Sequence, residues 1–128
     1  MLRRVAIACS TAISLSIPLT VSADCINPTT PYDQTYCTAK LFIESDAELN
    51  AVYDQLKKLV NKNTKSDLTN IQRAWIAYRD QECSVGGTIQ VQCNFETNKA
   101  RTEYLRDRLR ECKTGQCNDA MIGAKSWQ

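Results

Sequence analysis

From about Tyr36 to Asn61, small or apolar side chains recur at intervals of three and four. Phe42, Ser45, Leu49, Val52, Leu56 and Leu59 form the stripe, Leu41, Tyr53 and Val60 flank it, and lysines and glutamates fill the far side. That period predicts an amphipathic helix with one buried face. A second helix is expected from a cap at Thr64 or Ser66 to Cys83, with Leu68, Ile71, Trp75 and Tyr78 inward. Thr64 and Asp67 have the spacing of a capping box, with Asp in place of the usual Glu or Gln. Gly86-Gly87 breaks the pattern. A third helix should run from about Asn94 to Cys112, burying Thr102, Leu105, Leu109 and Cys112, with Phe95 and Tyr104 nearby.

The flanks lack such periodicity. Residues 24–34 contain Asn27-Pro28 and Thr30-Pro31 and read as an irregular arm, with Asp33 or Thr35 as cap for the first helix. Beyond Cys117, only Met121, Ile122 and Trp127 interrupt a polar tail, which the pattern leaves either docked or frayed.

The N-terminus has a different character. Arg3 and Arg4 precede an apolar run from Val5 to Leu19, and Val21-Ser22-Ala23 has the small-x-small form of a cleavage site. This is the order of a secretory signal peptide. A membrane anchor needs about 20 apolar residues, and this run is shorter and broken by serines and threonines. Asp24 before Cys25 argues against lipidation there. The expected division is therefore a signal peptide at 1–23, a helical domain at 24–112 and a tail at 113–128, with the mature chain periplasmic or secreted and without a stable membrane anchor.

Export changes the charge and cysteine counts. The chain carries 16 basic and 14 acidic residues. Removing Arg3 and Arg4 leaves 14 of each, so the mature chain is neutral. Nucleic acid is then a poor candidate partner, because phosphate binding calls for a basic excess. Cys9 leaves with the signal segment. Cys25, Cys37, Cys83, Cys93, Cys112 and Cys117 remain, an even set that reads as a disulfide framework. Zinc is the rival reading, but the spacings are 12, 46, 10, 19 and 5 and the chain has no His, unlike structural zinc sites.

Short connections make consecutive helices antiparallel. The fold class expected is thus all-α, a small antiparallel three-helix bundle stapled by disulfides. Cys37, Cys83 and Cys93 fall at one end and Cys112 at the other. This favours Cys83 with Cys93, Cys112 with Cys117 and Cys25 with Cys37, although exchange among the cysteines at the shared end stays open.

Chemistry-bearing residues are sparse. Without His there is no Ser-His or Cys-His nucleophile and no His-ligated catalytic metal. Glycine-rich phosphate loops are missing, and the acids are scattered on helix faces without the pairing glycoside hydrolysis requires. No catalytic, metal or cofactor-binding residue is assigned, no cofactor is expected, and the chain reads as a non-enzyme. Arg101, Arg106, Arg108 and Arg110 read as a solvated face of the third helix, interleaved by Glu103 and Asp107.

The segment Asp46-Ala47-Glu48-Leu49-Asn50-Ala51-Val52-Tyr53-Asp54-Gln55-Leu56 resembles the D-x-x-LN-x-x-Y-x-x-L helix of the LprI-like lysozyme inhibitors. Gln72-Arg73-Ala74-Trp75-Ile76-Ala77-Tyr78-Arg79-Asp80, three residues before Cys83, is similar to that family's most specific segment. Gly86-Gly87-Thr88-Ile89, Cys93, Arg101 and Leu105 extend the resemblance, which spans roughly residues 25–110. Asn98 stands where the family has Thr, and Cys112, Cys117 and the tail look like an addition. The resemblance implies an exported helical domain, some of whose relatives inhibit lysozyme.

The expectation is stoichiometric binding of a protein partner, lysozyme first. The alternative is a periplasmic binding or scaffold module, or an immunity-type protein neutralising another envelope partner. The loop Val85, Gly86, Gly87, Thr88 and Ile89, pinned by Cys83 and Cys93, is the candidate partner-binding element. Its competing reading is a cap in which Val85, Ile89 and Val91 cover the bundle end. Trp75, Tyr78, Arg79 and Asp80 are read as structural, with Arg79 and Asp80 each pairing to a neighbouring helix or capping the helix end, since adjacent residues do not face one another on a helix. A basic lysozyme would attract an acidic surface. The neutral chain offers only a local patch for that, from Asp46, Glu48, Asp80 and Glu82.

Overall fold

Thr30-Pro31 starts a helix where the sequence reading placed an irregular arm. A computed structural model describes residues 25–127, so the expected signal segment lies outside the described residues. Helix α1 spans Pro31–Leu59. Thr30 Oγ1 accepts from the Asp33 N–H at 3.1 Å, and Pro31 occupies the first turn, where its missing N–H costs nothing. The cap is therefore Thr30, ahead of Asp33 and Thr35. At the other end, Val60 is extended and buried. Leu59, expected in the stripe, is 48% exposed, and Val60 takes the inward place.

Helix α2 spans Lys62–Glu82 and follows almost without a loop. Asn61 Oδ1 accepts from the N–H groups of Asn63 and Thr64, both at 3.0 Å. This cap replaces the one expected at Thr64 or Ser66, and Thr64 is buried within the helix. Two short strands follow, β1 at Ser84–Val85 and β2 at Thr88–Ile89. Helix α3 runs Val91–Lys113, beginning three residues before the expected start. A single turn, α4, covers Asp119–Ile122.

Cross-helix bonds give the directions. Ser45 and Asp46 of α1 meet Asn98 of α3, and Glu48 meets Arg106 further along both, so α1 and α3 run parallel. Tyr53 meets Thr69 while Asp46 meets Arg79, so α2 runs against both. The result is an up-down-up three-helix bundle. Its core joins Leu49, Val52, Leu56, Val60, Leu68, Trp75, Leu105, Leu109, Cys112 and Ile122. Burying a Leu- or Ile-sized side chain stabilises by about 1.5–3 kcal/mol, so this stripe holds the helices together.

The tail is docked. Ile122 is fully buried, Asn61 Nδ2 donates to Asp119 at 3.0 Å, and Trp127 packs beside Tyr78 with ring centroids 6.1 Å apart. Three disulfides, Cys25–Cys37, Cys83–Cys93 and Cys112–Cys117, staple arm to α1, α2 to α3, and α3 to tail. No helix among the described residues is long and apolar enough to cross a membrane.

Candidate functional site

The loop between α2 and α3 is a hairpin. Ser84 pairs with Ile89 and Val85 with Thr88, leaving Gly86 and Gly87 as the two-residue turn. Their φ angles are +56° and +79°, the left-handed values that a tight type I′ hairpin turn requires at both central positions. A Cβ at either glycine would meet no neighbour within 4 Å, so backbone conformation, and not space, calls for glycine. The base is fixed by the Cys83–Cys93 bridge, by Gln90 N–H donating to Cys83 O at 2.8 Å, and by Ser84 Oγ donating to Asp80 O at 2.6 Å.

Directly opposed residues of an antiparallel pair share a face. Val85 and Thr88 therefore occupy one face and Ser84 and Ile89 the other. Val85 is 66% exposed and Ile89 65%, so each face presents an apolar side chain to water. They do not cover the bundle end. The topology also brings the first turns of α1 to this end, where Tyr32 and Tyr36 stack with centroids 6.3 Å apart and are both exposed. The sequence reading missed these tyrosines, although their i, i+4 spacing puts them on one face of the extended α1.

The Trp75 segment has a different environment. Trp75 is 2% exposed, with the Arg79 guanidinium 5.3 Å from its ring centroid. Arg79 joins all three helices: Nη1 donates to Asp46 and to Asn98, each at 3.1 Å. It also contradicts the expectation that adjacent residues would not pair, since Nε and Nη2 donate to Asp80 Oδ1 at 3.0 and 2.9 Å. The long arginine side chain folds back to its neighbour at the helix end. Asn98 is fully buried and donates on to Ser45 Oγ at 3.2 Å.

Three of the four acids of the expected patch are ion-paired, and the exposed Glu82 is in none of the ion pairs among the described residues. Asp46 and Asp80 are held by Arg79, and Glu48 by Arg106.

Arg101 departs furthest from expectation. Placed on the solvated side by sequence, it is 3% exposed. Its guanidinium lies 5.3 Å from the Tyr104 ring, 5.1 Å from Trp127 and 6.0 Å from Trp75. Nε donates to Gln72 at 3.0 Å and Nη1 to Ser126 Oγ at 3.1 Å. Desolvation pushes its pKa down to about 10, which leaves it charged at neutral pH. A pocket of about 420 Å³ opens beside it. Its spacing of four and eight residues from Leu105 and Leu109 puts Arg101 on the inward stripe, whereas Arg106 and Arg108 are half-buried and Arg110 is exposed.

The family model for the lysozyme inhibitor LprI matches residues 25–105, the stretch containing the Trp75 segment, the hairpin and Arg101. The chain belongs to the LprI lysozyme-inhibitor family. The match ends within α3, so the docked tail with Ile122 and Trp127 lies beyond the part that LprI-family membership describes. No curated protein and no solved structure matches the chain.

Proposed function

We propose that this protein is an exported lysozyme inhibitor that binds its enzyme stoichiometrically and carries out no chemistry of its own. On this reading, the Cys83–Cys93 hairpin enters the substrate cleft and blocks it. Family membership supplies the target class. The observation that carries the hairpin assignment is a disulfide-pinned finger with an exposed apolar side chain on each face. A finger ordered before contact loses little conformational entropy on binding, and that preorganisation favours affinity. The stacked Tyr32 and Tyr36 at the same end extend the surface with aromatic groups of the kind that dominate interface energetics. Three disulfides fit an oxidising compartment.

The test is a cell-wall lysis assay with the oxidised protein titrated into animal-type and goose-type lysozymes. Saturable loss of lysis near one equivalent is expected for at least one class. Ile89→Asp should weaken it by about tenfold or more, the effect of losing a buried apolar anchor. Unchanged inhibition by a folded Ile89→Asp protein would remove the hairpin from the interface. Absence of inhibition against every class would transfer the protein to another envelope partner.

A further inference from the structure

Arg101 is a buried cation without an anion. It joins none of the ion pairs among the described residues, and its two side-chain acceptors, Gln72 and Ser126, are neutral. A guanidinium has five N–H donors in a fixed fork. Nη2, out of contact with solvent, has no partner. Burying a charge in this way is costly unless it is paired. Its cation–π contacts with Trp75, Tyr104 and Trp127 offset part of that cost, but they do not satisfy the fork.

The adjoining pocket has the composition of a ligand site. Trp75, Tyr78 and Trp127 supply aromatic surface, Thr97 a hydroxyl, and Arg101 and Glu96 opposite charges. At about 420 Å³ it falls within the size range of small-molecule sites. One wall, Ser126 and Trp127, belongs to the tail.

We infer that this pocket binds a small zwitterion of amino-acid type, with its carboxylate on the Arg101 fork, its ammonium toward Glu96 and an apolar or aromatic body among the rings. The carboxylate takes Nη1 and Nη2 together, replacing the single bond to Ser126 with the bidentate pairing that guanidinium geometry matches. Glu96 joins no ion pair among the described residues and accepts only from Gln92 Nε2, at 2.8 Å. A purely anionic ligand would be opposed by that carboxylate. The site is distinct from the hairpin, and the inference does not depend on lysozyme binding.

The probes are L-phenylalanine, 3-phenylpropionate (no ammonium) and phenethylamine (no carboxylate), titrated into the oxidised protein while the indole N–H resonances of Trp75 and Trp127 are followed by NMR. L-Phenylalanine should give saturable shifts. Affinity should fall several-fold for 3-phenylpropionate and by about tenfold or more for phenethylamine, since charge-assisted bidentate bonds are the strong ones. Arg101→Lys keeps the charge but loses the fork, and should weaken L-phenylalanine binding by about tenfold. Because Arg101 is buried, the exposed Glu96→Gln is the second variant, and it should bring L-phenylalanine and 3-phenylpropionate to similar affinity. No saturable shift with either carboxylate would overturn the site. Equal response to phenethylamine would reduce it to an apolar crevice, and an unchanged ratio in Glu96→Gln would remove the ammonium subsite.

Discussion

The seam between the helices and the hairpin end invert the usual placement of residue types. In the seam, Arg79, Asn98, Gln72 and Arg101 are withdrawn from water and tied across helices. At the hairpin end, Val85, Ile89, Tyr32 and Tyr36 stand in water with no core to cover. Apart from Arg101 Nη2, the seam's polar groups have the partners that interior polar groups need, so the seam fixes helix positions. Exposed apolar groups on a rigid support lose little when a partner covers them, which is why the proposed reading puts binding at this end. On the proposed reading, the most specific motif of the chain, from Gln72 to Cys83, builds the platform, and the plain Val-Gly-Gly-Thr-Ile run presents the surface.

The strongest way to break this division is to damage the seam. Trp75→Ala should lower stability by about 3–5 kcal/mol, as large aromatic truncations in cores do, measured by urea unfolding followed by circular dichroism. Inhibition should fall only in step with the folded fraction. A folded Trp75→Ala protein that binds lysozyme poorly would place the seam in the interface.

Removing the hairpin's clamp comes next, because the clamp belongs to both regions. Cys83→Ser with Cys93→Ser frees a loop of about ten residues, and the chain-entropy account gives a loss of roughly 3 kcal/mol. Affinity should drop more than stability alone explains, since the finger must then be ordered on binding. Equal inhibition by the bridged and unbridged proteins, both folded, would dissolve the preorganisation argument.

How these regions appear in sequence follows from what each depends on. Leu49, Val52, Leu56, Leu68, Leu105 and Leu109 are apolar at helical spacing, so burial and pattern coincide, and the three helices were legible. Arg101 was not, because arginine is normally exposed and its burial depends on Trp75, Tyr104 and Trp127 converging from three segments. The tail was undecidable for a similar reason: Ile122 and Trp127 are two isolated apolar residues whose docking depends on a groove made by other helices. Thr30 was passed over because Thr-Pro signals a turn as readily as a helix start. The hairpin was half legible. Gly86-Gly87 announced a break, while the antiparallel pairing that exposes Val85 and Ile89 on opposite faces needed the structure.

Smaller effects sharpen the comparison. Arg79→Ala leaves Asp46, Asp80 and Asn98 without their shared donor. Because both acids are partly exposed (side chains 42% and 58% accessible), the expected loss is about 1–3 kcal/mol, in the range for bonds to charged groups. Arg79→Lys should recover only part of it, since a single ammonium cannot span three acceptors. Gly87→Ala meets no steric neighbour and should lose about 1–2 kcal/mol through the left-handed φ alone, with lysozyme affinity reduced as the turn reshapes.

The least effect on stability should come from the most informative pair. Val85→Asp and Ile89→Asp each replace an exposed side chain, so unfolding free energies should stay within about 0.5 kcal/mol of the parent. The two residues lie on opposite faces of the hairpin. A finger inserted into a cleft is contacted on both faces, and each substitution should then weaken inhibition by a similar factor. A hairpin lying flat against its partner uses one face, and only one substitution should act. Inhibition constants of the two single variants therefore distinguish insertion from lateral docking, with stability held constant by the exposure that makes both residues available to a partner.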